Sequence, residues 1–114
     1  MKADDHLSKA EEIRRSIKEL LKDGDRHVSS IVELAFGLMH HLIAHGLEKI
    51  YGEHRDVHYG IPALLREKDE DSIAIPFERL TSLRHGRWYG GKGDGEVVRE
   101  AMRIVEETER WCKE

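Results

Sequence analysis

The sequence predicts an all-α fold: an antiparallel up-and-down four-helix bundle with one additional short helix. Three observations lead there. Apolar residues recur at steps of three and four in four separate stretches; no run alternates apolar and polar side chains over the length of a strand; and the breaks are brief and marked by glycine or proline. A chain of 114 residues has room for one modest core, so residues 1–114 are read as a single domain.

The first stretch opens acidic at Asp4 and Asp5, places Leu7, Ala10, Ile13, Ile17, Leu20 and Leu21 on one face, and stops at Gly24. The second begins between Asp25 and Ser30. It carries Val28, Ile31, Val32, Leu34, Ala35, Leu38, Met39, Leu42, Ile43, Gly46, Leu47 and Ile50 before Gly52. So wide an apolar face predicts the central, most buried helix. Gly37 and Gly46 each cost about 1 kcal/mol of helix propensity relative to Ala, a cost that close packing against a neighbour offsets. EHRDVHYG, between Gly52 and Gly60, breaks the period and reads as a loop. IPALLREK follows as a short helix with Pro62 in its first turn. DEDS reads as an acidic break and solvated turn. PFERLTSLRHGRW then gives a further helix with Pro76 early and Phe77, Leu80, Leu83 and Trp88 inward. Asp94 caps a last helix from about Gly95 to Lys113. Its inner stripe is Val97, Val98, Ala101, Ile104, Val105, Thr108 and Trp111 or Cys112, with Trp111 assigned to the core.

The net charge of −4 gives no overall attraction for phosphodiester, so contact with nucleic acid requires a local basic patch. Cys112 is the only cysteine, which excludes an internal disulfide and fits a reducing compartment. The charged N-terminus lacks the apolar core of a signal peptide and no window approaches the ~18 apolar residues needed to cross a bilayer, so a cytoplasmic protein without a membrane partner is expected. Asparagine and glutamine are absent while Glu, Arg and Lys abound, as expected of a thermophilic source.

The stretch RHGRWYGGKGDG, residues 84–95, concentrates glycines, cations and aromatics. Gly86 to Lys92 spells G-x-x-x-x-G-K, yet Gly93 replaces the magnesium-binding hydroxyl of a phosphate loop and the chain arrives by helix instead of strand. Two readings remain. Arg84, Arg87 and Lys92 aim cations at a phosphate near the N-terminus of the last helix, with Trp88 and Tyr89 placed to stack on a base; or the stretch is a helix C-cap and turn with solvated charges.

The order of elements narrows this. A long helix precedes VELAFGLMHHLIAHGLEKIYG; a loop with His58 leads into GIPALLRE; a helix ends in LRHGRWYG; and an amphipathic helix closes the chain. Over nearly its whole length this resembles the HEPN superfamily. The resemblance implies an all-α bundle that pairs into a homodimer, with arginines of the fourth helix facing a cleft for nucleotide or RNA. It also implies a possible partner, a minimal nucleotidyltransferase acting with it as a toxin–antitoxin pair. Many such domains carry R-x4-6-H and cleave RNA without metal. By position Arg84 is the motif arginine and His85 the polar residue after it. Tyr89, Gly90 and Gly91 occupy the permitted places of the closing histidine, which makes LRHGRWYG closer to an R-x4-Y branch. Arg79 and His85 also satisfy R-x5-H, but Arg79 lies more than a turn too early.

Chemistry divides the roles. Arginine stabilises a phosphorane but does not shuttle protons, and a tyrosine near pKa 10 is a poor acid or base at pH 7. His85 beside Arg84 is the candidate for proton transfer, its neutral form favoured by the cation next to it. The leading expectation is a nucleotide- or RNA-binding HEPN-like domain using Arg84, Arg87, Trp88 and Lys92. The alternatives are a metal-independent ribonuclease using Arg84, His85 and Tyr89, and a ligand-free dimeric adaptor. No cofactor is expected. His41 and His45 stand one turn apart, a spacing that suits zinc, but the HExxH glutamate is absent, so packing or dimer contacts are expected there and no metal. His40 is placed on the far side near Glu33, in solvent, and His54 and His58 share a loop.

Overall fold

The computed structural model describes residues 2–53, 60–85 and 94–113. Its elements are α1 (Ala3–Leu21), α2 (Val28–Tyr51), α3 (Ile61–Glu67), α4 (Asp71–His85) and α5 (Asp94–Lys113). The fold is all-α, and the described residues contain no strand.

The apolar periods dictate the layers. α2 packs against α1, α4 and α5; α3 lies on α4, and α4 also meets α5. The centre of α2, from Ile31 to Leu47, supplies the largest share of the core, joined by Ile17 of α1, Leu65 of α3, Leu80 of α4 and Val97 and Val105 of α5. Each fully buried Leu or Ile contributes about 1.5–3 kcal/mol relative to exposure, so this seam dominates the stability. Ile50, assigned to the apolar face of this helix, is 44% exposed. The helix stops one residue later at Tyr51. Gly52 there adopts a left-handed φ of 72°, and its N–H closes on the Glu48 carbonyl at 2.9 Å.

One boundary and one core residue differ from expectation. α4 starts at Asp71, so the second half of DEDS is helical and Pro76 lies inside the helix. Burial of Ile73 and Ala74 against the core holds that first turn in place, and their N–H groups both donate to the Glu70 carbonyl at 3.0 Å. Pro76 has no N–H to give the Ser72 carbonyl, which lies on an exposed residue. At the other end of the chain, Cys112 and not Trp111 is fully buried, while Trp111 lies partly buried over Gly46.

That contact explains a glycine in the middle of the central helix. A Cβ on Gly46 would stand 2.5 and 2.7 Å from the Trp111 ring, whereas one on Gly37 would meet only Ile13 Cδ1 at an ordinary 3.8 Å. Gly46→Ala is therefore expected to destabilise the protein by about 1–3 kcal/mol despite its better helix propensity. Gly37→Ala should instead stabilise by about 0.5–1 kcal/mol; urea unfolding of the two variants reads the contrast. Burial pushes the Cys112 thiol up to about 11, with Glu109 adding to the rise and Lys113 opposing it. At pH 8 iodoacetamide should label Cys112 at least about 100-fold more slowly in the native protein than in urea, because the thiolate is its reactive form.

Candidate functional site

Arg84 and His85 form the last residues of α4. Arg84 reaches back to α2: its Nε donates to Glu33 Oε2 at 2.7 Å, and its Cζ stands 4.2 Å from the centroid of the Phe36 ring. Beneath it Phe36 stacks on Phe77 of α4, with centroids 5.6 Å apart and an interplanar angle of 27°. His40 packs edge-on against both rings at 4.4 and 5.1 Å. The arginine thus caps an aromatic stack running between two helices.

His40 is only 3% exposed, a correction to its placement in solvent. The helical wheel rightly set it on the side of Glu33, but α4 covers that side. Glu33 remains 57% exposed at the side-chain level and Arg84 33%, which puts the pair at the rim. The contact is made through Nε, and a guanidinium carries further donors on its two Nη groups that suit a pair of anionic oxygens. His85 is exposed beside it. Arg87, Trp88, Tyr89 and Lys92, the other expected site residues, lie outside the described residues, as do His54 and His58.

The other arginines of the core faces are structural. Arg79 of α4 pairs side-on with Glu100 of α5, Nε to Oε1 at 2.6 Å and Nη2 to Oε2 at 3.4 Å, and this hydrogen bonding raises the guanidinium further above its ordinary value. Glu100 is buried, an acidic residue on the inner side of α5 that the apolar stripe did not reveal. Arg14 of α1 meets Glu109 of α5 at 2.5 Å. At the N-terminus of α5, near which one of the two readings places a phosphate, an acidic side chain from the approach to α2 lies close. A Cβ on Gly95 would lie 3.2 Å from Asp25 Oδ2 and 3.3 Å from Arg99 Nη1, so the Asp25 carboxylate reaches the first turn of the helix.

His41 and His45 hydrogen-bond across the α1–α2 interface. His41 Nδ1 lies 2.9 Å from His6 Nδ1, and His45 Nδ1 donates to the Ala3 carbonyl at 2.7 Å. Among the described residues no cluster of three His, Cys, Asp or Glu side chains could hold a metal ion. No protein-family model, curated protein or solved structure matches the chain.

Because both partners of the Glu33–Arg84 pair are substantially exposed, its coupling should be small. A double-mutant cycle of Glu33→Ala and Arg84→Ala is expected to give about 0.2–1 kcal/mol in urea unfolding and less in high salt. A larger, salt-independent coupling would mean that the pair is a structural keystone.

Proposed function

We propose that this chain is a HEPN-like nucleotide- or RNA-binding domain, with Arg84 as the group that meets phosphate. The observation that carries the reading is the mounting of Arg84. Glu33 takes its Nε, Phe36 supports its face, and the side chain stays one-third exposed with His85 exposed beside it. An arginine preoriented in this way loses less side-chain freedom on meeting an anion than a solvated one.

The up-and-down four-helix bundle belongs to the same proposal. It is supported at both ends of the α2–α4 contact: Glu33 near the start of α2 meets Arg84 at the end of α4, while Tyr51 at the end of α2 donates to Glu70 just before α4, at 2.9 Å. The two helices therefore run antiparallel, with α3 as the added short element. A homodimer and a minimal nucleotidyltransferase partner remain part of the proposal through the resemblance of the sequence. A second reading, the ligand-free adaptor, is favoured by Glu33 itself, which offsets the charge a phosphate would seek. Metal-independent cleavage would require His85 to act as the acid or base.

Titration with AMP, ATP and a short single-stranded RNA, followed by tryptophan fluorescence with EDTA present, separates these readings. Saturable binding that weakens about tenfold or more in Arg84→Ala supports the phosphate site, since a hydrogen bond to a charged group contributes about 1.5–3 kcal/mol. Binding unaffected by Arg84→Ala sinks it, and the absence of any binding favours the adaptor. Cleavage of the RNA that disappears in His85→Ala would establish the ribonuclease.

A further inference from the structure

Two imidazole nitrogens that approach to hydrogen-bond distance share one proton. Two bare nitrogens would oppose their lone pairs, and two protonated ones would oppose their hydrogens. His6 of α1 and His41 of α2 meet in this way, Nδ1 to Nδ1 at 2.9 Å, with the rings tilted at 43°. His6 is buried and His41 half-buried. Their four ring nitrogens therefore hold at most three protons while the contact lasts. One turn along α2, the buried His45 donates its Nδ1–H to the Ala3 carbonyl, a bond that both the neutral and the charged ring can make.

We propose that the His6–His41 pair is an acid-sensitive latch holding the first turns of α1 on the C-terminal half of α2. The closed latch binds one proton fewer than the two histidines bind once separated, so opening is favoured as pH falls. The charged groups around the adjoining cleft are Asp4 and Glu11 of α1, His45, Glu48 and Lys49 of α2, and Lys113 of α5. A window from pH 7.5 to 5.5 spans the ordinary imidazole range and stops above the ordinary carboxylate range, which isolates the histidines from those carboxylates. Among the described residues α4 packs on α2 and α5 but not on α1, so release of α1 leaves the mounting of Arg84 in place.

Urea unfolding of the wild-type chain and of a His6→Leu/His41→Leu double variant, each at pH 7.5 and 5.5, tests the latch. For an ordinary imidazole near pKa 6.5, exclusion of one proton raises the wild-type unfolding constant about tenfold more than that of the variant across this window. Equal pH responses would overturn the proposal. Histidine 15N NMR of the unmodified chain gives a second reading that needs no variant. At pH 7.5 one of the two facing Nδ1 atoms should carry a proton and the other none. Finding both protonated at pH 5.5 while the α1 amides stay protected would equally overturn it.

Discussion

The structure depends on one constraint: α2 must bury apolar residues against three helices at once. A helix covered on a single side has an outward face where polar residues are solvated, and α2 has little of one between Ile31 and Leu47. Its polar residues within that span each meet a partner on a neighbouring element. Glu33 takes Arg84, His40 fits between aromatic rings, His41 meets His6, and His45 bonds the Ala3 carbonyl. The candidate site and the histidine pair are thus two consequences of the same burial, on opposite flanks of one helix.

With no asparagine or glutamine in the chain, the helices are matched across their interfaces mainly by arginine with glutamate. Arg14–Glu109 joins α1 to α5, Arg79–Glu100 joins α4 to α5, and Arg66–Glu78 joins α3 to α4. Arg84–Glu33 belongs to this series by chemistry but differs in surroundings. In the Arg79 pair the glutamate is the buried member; in the Arg84 pair the glutamate is the more exposed member and the arginine rests on an aromatic ring. Exposure with a fixed orientation suits recognition of a ligand better than it suits stability, where rim ion pairs contribute little.

What was legible in the sequence was whatever one helix determines alone. The wide stripe of α2 marked it as central, and the stripe of α5 gave its buried residues from Val97 to Thr108. Whatever depends on a second element stayed hidden. His40 lies on a side of α2 that only the position of α4 defines as covered. Glu100 is inward because Arg79 stands opposite it, and the start of α4 ahead of Pro76 follows from the burial of Ile73 and Ala74. Arg84 stood out through its place in LRHGRWYG, whereas its partner Glu33 is remote in sequence and nothing local to either residue pairs them. In the sequence Asp25 reads only as the approach to the second helix, since its place beside Gly95 depends on where α5 begins.

The central proposal is that α2 orients the Arg84 guanidinium through Glu33 and Phe36 for contact with an anion through its Nη groups. Side-chain 15N NMR of Arg84 tests this most directly, in the free chain, in Glu33→Ala and with AMP added. The account predicts a slowly exchanging Nε–H signal in the free chain that is lost in Glu33→Ala and persists with AMP, while the Nη signals move. A freely averaging Arg84 signal in the free chain, or Nη signals indifferent to AMP, would contradict it.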